Sequence, residues 1–130
     1  MVTRKKVFIS FDFDNDGDLK MLLANQSKLP DTPFDTWDSS VSEHMTGDWK
    51  AKVRAKLKNV DIVCVLCTTT THRAEGVAIE LEIAKEIGAS YFLLKGYKDK
   101  NCYAPRTASS TDKMYDWTWP NLKLLIHGNR

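Results

Sequence analysis

Short apolar runs along the chain alternate with segments whose apolar positions recur every three to four residues, which predicts strands and helices in turn. Val7 to Phe13 (VFISFDF) is apolar and β-branched and ends at the breaker cluster Asp14-Asn15-Asp16-Gly17. Asp18 can cap a helix running through Leu29, with Leu19, Leu22 and Leu23 facing inward, and Pro30 to Pro33 breaks it. Phe34 to Trp37 reads as a short second strand, and Asp38-Ser39-Ser40 begins a polar loop. A second helix is predicted from Asp48 to Asn59, with Trp49, Val53 and Leu57 at i, i+4 and i+8. Asp61 to Cys67 (DIVCVLC) is a continuous apolar run, as in a strand covered on both faces. A helix over Glu75 to Gly88 follows, then a strand over Ser90 to Lys95. Gly96 to Lys113 reads as a loop, Tyr115 to Trp119 as a short fifth strand, and Pro120 as the start of a last helix. Strands alternating with helices imply a parallel sheet with right-handed crossovers. The expected fold is α/β: a single domain over residues 1–130, a flavodoxin-like three-layer sandwich around four to five parallel strands.

One position breaks this pattern. On a helical wheel at about 100° per residue, Val77, Leu81, Ala84 and Gly88 cluster on one side, with Ile79, Ile83 and Ile87 beside them. Glu82, Lys85 and Glu86 fall on the opposite side. Glu80 lands in the middle of the apolar face, where a carboxylate is costly to desolvate unless it has a partner or serves chemistry. A structural carboxylate paired with a Lys, an Arg or backbone amides is one reading. Its place, about one turn into the helix, favours the other. The dipole there supports an anion, while desolvation raises the readiness to accept a proton or a hydroxyl hydrogen bond.

Ligands of open α/β sheets bind beyond the carboxyl ends of the strands. The polar segments expected there are Asp12-Phe13-Asp14, Asp38-Ser39-Ser40 and Thr68 to Thr71, and Glu80 opens the helix after the third.

Composition narrows the function classes. The chain has 130 residues, 42% hydrophobic and 28% charged, an ordinary globular balance. A formal charge of +2 with scattered basic residues offers no argument for a nucleic-acid partner; Lys50, Lys52, Arg54, Lys56 and Lys58 read as a solvated helix face. No apolar run reaches the roughly 20 residues of a membrane span, and Lys5-Lys6 leads straight into a strand rather than a signal peptide. Three cysteines make no disulfide framework, so a reducing cytoplasm is expected.

Several motifs have bland explanations. Asp12, Asp14, Asp16 and Gly17 match the first half of a calcium loop, but the closing position holds Leu23 and a strand precedes it; a capped turn accounts for them better. Asp12-x-Asp14 after a strand also resembles the start of a Mg-dependent haloacid-dehalogenase-type phosphohydrolase. The later acid pair that would hold the metal is missing, since the fourth strand ends in Lys95-Gly96-Tyr97. A receiver domain needs an acid ending the third strand, where Cys67-Thr68 stands. Cys64 and Cys67, three apart in a strand, point to opposite faces and cannot readily share a disulfide or a metal. His44, His72 and His127 show no metal spacing, so no metal site is expected. Tyr115, Trp117 and Trp119 read as packing.

Taken in order, the segments resemble the prokaryotic Toll/interleukin-receptor-like (TIR-like) domains, in particular the TIR-like subunits of Thoeris anti-phage systems. Lys6-Val7-Phe8-Ile9-Ser10-Phe11-Asp12 is similar to that family's first strand, and Asp38-Ser39-Ser40 to the loop after the second. Gln26-Ser27-Lys28, Pro33-Phe34, Trp49-Lys50 and Asp61-Ile62-Val63 keep the order, and Gly76-Val77-x-x-Glu80 resembles the catalytic helix. Lys95-Gly96-Tyr97, Asp112-Lys113-Met114 and Trp117-Thr118-Trp119 complete it.

The resemblance implies a TIR-like fold and NAD as a substrate rather than a cofactor. Family members cleave the nicotinamide–ribose bond, as NAD nucleosidases or ADP-ribosyl cyclases, and Thoeris-type members join the ADP-ribose into a cyclic signal. The carboxylate suits that step because bond breaking builds oxocarbenium character on the ribose, which an anion stabilises. By this match Glu80 is catalytic, Phe11 and Asp12 line the nicotinamide–ribose side, and Asp38, Ser39 and Thr68 surround the ribose and phosphates. The implied partners are NAD, further copies of the chain in an oligomer or filament, and a separate effector reached through the nucleotide messenger. Better-studied TIR NAD hydrolases carry a Trp-Cys pair where this chain has Gly76 and Val77. That departure keeps a second reading open, a non-catalytic module that signals by self-association.

Overall fold

The continuous apolar run forms the middle of the molecule. The computed structural model describes residues 5–11, 34–39 and 49–126. Five strands make one sheet: β1 (Lys5–Ser10), β2 (Phe34–Ser39), β3 (Ile62–Cys67), β4 (Tyr91–Lys95) and β5 (Met114–Asp116). They lie in the order β2-β1-β3-β4-β5, and all neighbours are parallel. The helices are α1 (Trp49–Leu57), α2 (Glu75–Glu86) and α3 (Trp119–Ile126), and a 3₁₀ turn (Thr71–Arg73) precedes α2.

Every residue of the central strand β3 is buried, which explains why its sequence has no polar face. Pleating sends alternate side chains to opposite faces. Ile62, Cys64 and Leu66 join Val7, Ile9, Phe92 and Leu94 in the core under α3, which contributes Leu122, Leu125 and Ile126. Val63, Val65 and Cys67 join Phe8 and Leu93 under α1 and α2, which contribute Val53 and Leu57, and Val77, Leu81 and Ala84. Helices therefore cover both faces, and the three-layer α/β sandwich is as the alternation of elements predicts. Cys64 and Cys67 lie in different cores, and burial pushes both thiols up, Cys67 to about 12. Tyr115 and Trp117 pack against the α3 core, in line with a packing role.

Helix α2 stops where its sequence says it should. Gly88 adopts a left-handed φ of 75°. Its N–H donates to Lys85 O at 3.2 Å and that of Ala89 to Ala84 O at 2.9 Å, a Schellman closure that satisfies two terminal carbonyls.

Other boundaries shift. β1 begins at Lys5 and ends at Ser10, not Val7 to Phe13, because its parallel partners are Phe34–Ser39 on one side and Ile62–Val65 on the other. β2 extends through Asp38 and Ser39, which the sequence places in a loop. The register shifts there: Val7 pairs with Thr36 but Phe8 with Asp38, leaving Trp37 as the extra residue of a bulge. β5 covers Met114–Asp116 rather than Tyr115 to Trp119, and α3 starts at Trp119. The predicted helix from Asp18 to Leu29 and the acidic cluster Asp12 to Gly17 lie outside the described residues. Among the described residues no helix is long and apolar enough to cross a membrane.

Candidate active site

The strand order 2-1-3-4-5 places the topological switch between β1 and β3, so a ligand crevice is expected at their carboxyl ends. Ser10, the last residue of β1, pairs with Val65, and Thr68 is the first residue beyond β3.

Hydroxyls shape the turn from β3 to α2. The Thr68 amide donates to Thr71 Oγ1 at 2.7 Å, and the Thr71 hydroxyl donates to Leu66 O at 3.3 Å. The two threonine Oγ1 atoms are 3.3 Å apart, and both residues are fully buried. This ties the 3₁₀ turn to the end of β3 and fixes the direction in which α2 sets out.

Glu80, the sixth residue of α2, is 1% exposed, and both carboxylate oxygens are closed off from water. The Ser10 hydroxyl donates to Glu80 Oε1 at 2.7 Å. Ser10 points this way because it shares the α2 side of β1 with Phe8, two residues earlier. One partner of the carboxylate is therefore a strand hydroxyl 70 residues away, a group that the sequence reading does not name. Losing a hydrogen bond in so enclosed a place costs about 1–3 kcal/mol. The bond also fixes the carboxylate's position at the carboxyl end of β1.

The sequence-predicted site residues divide. Glu80 meets the last residue of β1 through Ser10, and Thr68 stands at the carboxyl end of the neighbouring strand β3. Phe11 follows the end of β1 but is buried in the other core, with Ile9 and Leu122. Asp38 and Ser39 form the carboxyl end of β2, with Ser39 paired to Ile9 of β1. Asp12 lies outside the described residues. Among the described residues no group of three or more His, Cys, Asp or Glu is placed to hold a metal ion. Ser10 is the residue that sequence reasoning missed. Its signal was available: it is the lone hydroxyl in an apolar strand, on the same face as a core phenylalanine.

The family model described as Thoeris protein ThsB, TIR-like domain, matches residues 8–101, most of the chain and the whole span from Ser10 to Glu80. The chain belongs to this family. No curated protein matches it. Membership in the ThsB TIR-like family accounts for the α/β sheet order and places the protein among Thoeris defence components.

In this ThsB TIR-like chain, the segment after β4 is strapped along α2 by interactions that the sequence reading of a loop does not anticipate. The Thr107 hydroxyl donates to Ala78 O at 2.7 Å. Lys85 Nζ donates to Thr107 O at 2.9 Å and Ser109 Oγ at 2.8 Å. Arg106 makes a bidentate pair with Glu75 at the start of the helix, 2.8 Å on each arm. The helix that carries Glu80 is thus held on its sheet side by Ser10 and on its flank by this strap.

Proposed function

We propose that the protein is an NAD-consuming enzyme that breaks the nicotinamide–ribose bond and releases an ADP-ribose-type signal, linear or cyclic, for a separate effector in anti-phage defence. The observation that carries this reading is a buried carboxylate, Glu80, anchored by Ser10 beside the β1/β3 switch point. Family membership over residues 8–101 supports it.

The chemistry asks for such a group. When the C1′–N bond breaks, its electron pair leaves with nicotinamide, which becomes neutral, and positive charge develops on the ribose. A fixed anion in a site of low dielectric stabilises that charge more than water does. Ser10 holds the anion in place, so little reorganisation is needed during the step. Water, or a group of the same ADP-ribose, then takes C1′. Cyclisation requires exclusion of water, and a carboxylate only 1% exposed sits in a place from which water is excluded. In this reading Asp12 lines the nicotinamide side, and Asp38, Ser39 and Thr68 surround the ribose and phosphates, while Phe11 packs in the core under α3. No cofactor takes part, and assembly of further copies closes the site.

The enclosure of Glu80 also favours one rival, a structural carboxylate in a module that signals only by self-association. The two separate cleanly. Purified protein, as monomer and as oligomer, is incubated with NAD, and free nicotinamide is followed by chromatography beside Glu80→Gln. Release that falls at least about a hundredfold in the variant supports the catalytic assignment. Release that survives Glu80→Gln sinks it, and no release in any state supports the rival.

A further inference from the structure

The same rim carries an aromatic pair that bond cleavage does not use. Tyr103 is 43% exposed, a large ring left standing in water. It is nevertheless firmly placed: its amide donates to Thr68 O at 3.0 Å, which holds its backbone at the carboxyl end of β3. Its ring lies against that of His72, in the 3₁₀ turn, with centroids 4.4 Å apart and planes tilted by 57°. His72 and the next residue, Arg73, are exposed. The turn after β3 and the segment after β4 thus present paired rings at the carboxyl end of the sheet, with the exposed Arg73 next in sequence to His72.

Such an arrangement suits a dinucleotide. It carries two ring systems separated by a pyrophosphate, and a protein that fixes only the reacting end leaves the other free to move. An aromatic side chain gives a base a flat partner at small entropic cost, because a tyrosine has few torsions to immobilise. Thr68 connects the two ends of the rim. It follows the strand beside β1, where Ser10 and Glu80 meet, and its carbonyl holds Tyr103.

We infer that Tyr103, braced by His72, is the platform on which the adenine base of the dinucleotide stacks, with Arg73 near enough in the chain to meet the pyrophosphate. The inference rests on the NAD reading above and adds the residues that select the nucleotide end of the substrate. Tyr103 lies just beyond the family-matched residues 8–101.

The test separates binding from turnover. The full chain is titrated with AMP while the ring signals of Tyr103 and His72 are followed by NMR, in the unmodified protein, Tyr103→Phe and Tyr103→Ala. AMP is expected to move both rings' signals, and nicotinamide mononucleotide, which lacks adenine, to leave them in place. Tyr103→Phe keeps the affinity, whereas Tyr103→Ala loses about tenfold or more, the range of base–aromatic stacking. The platform is overturned if AMP does not bind at millimolar concentration, binds Tyr103→Ala equally well, or moves other residues only. In parallel, KM for NAD is expected to rise about tenfold in Tyr103→Ala while kcat changes less. Nicotinamide release with an unchanged KM refutes the platform and leaves the cleavage reading standing. AMP binding without nicotinamide release in any state does the reverse.

Discussion

Removing a single oxygen atom from Ser10 measures how firmly the carboxylate is anchored. In Ser10→Ala, Oγ disappears from a position 2.7 Å from Glu80 Oε1, in a contact where the two residues are 0% and 1% exposed. No bulk water reaches the site to replace the lost donor, so the cost is that of losing a buried hydrogen bond, about 1–3 kcal/mol. The void is one atom in size and adds little to it. Urea unfolding followed by far-UV circular dichroism reads this as a lower midpoint at unchanged slope. A cycle with Glu80→Met, which keeps the length of the side chain and removes the acceptor, isolates the pair. Residues in direct contact are expected to couple by about 1 kcal/mol or more. A Ser10→Ala loss below about 0.5 kcal/mol, or additive effects in the double variant, would refute the anchoring and with it the preorganised carboxylate.

Three further outcomes follow from the geometry. Gly88→Ala forces a left-handed φ on a residue with a Cβ, at a place where that Cβ meets no neighbour, so backbone strain alone should cost about 1–2 kcal/mol in thermal unfolding; a neutral variant would show that the Schellman closure contributes nothing. For Asp112, burial acts to raise the carboxyl pKa, but the Tyr91 hydroxyl, the Ser109 amide and Lys85 outweigh it and hold the group below the usual range. A folded pKa below the unfolded one gives stability that is present above about pH 4 and lost as pH falls through the folded value. Asp112→Asn should therefore lose about 1 kcal/mol at neutral pH and show a shallower fall in acid; parallel acid-unfolding curves would contradict it. A thiol reagent at about pH 8 should modify half-buried Cys102 first. Cys64 and Cys67, both in the core, should react only on unfolding, read by intact mass; early modification of two thiols would count against the packing of β3.

The central strand was legible from sequence because burial on both faces demands an unbroken apolar run, and Ile62–Cys67 has one. The same holds for Glu80. Its place on the apolar face of α2 depends only on helical period, a relation among residues within about a dozen positions. Gly88 marks the end of that helix for a reason equally local, since it alone takes the left-handed turn there without strain. In each case the deciding interaction lies between near neighbours, and the sequence records it.

What the sequence left open depends on segments that meet only after folding. Lys5 and Lys6 look like a polar terminus, yet they are strand because Phe34 and Asp35 pair beside them. Asp38 and Ser39 look like loop, yet a bulge at Trp37 carries β2 on to include them. Thr107 reaches Ala78 and Tyr103 reaches Thr68 across stretches where no periodicity operates. Above all, the strand order that makes β1 and β3 neighbours brings the Ser10 hydroxyl to Glu80. By itself the sequence determined that a carboxylate sits on an apolar helix face. The Ser10 hydroxyl beside it, and its place at the end of β1, were decided by the packing of two segments 70 residues apart, which no local period encodes.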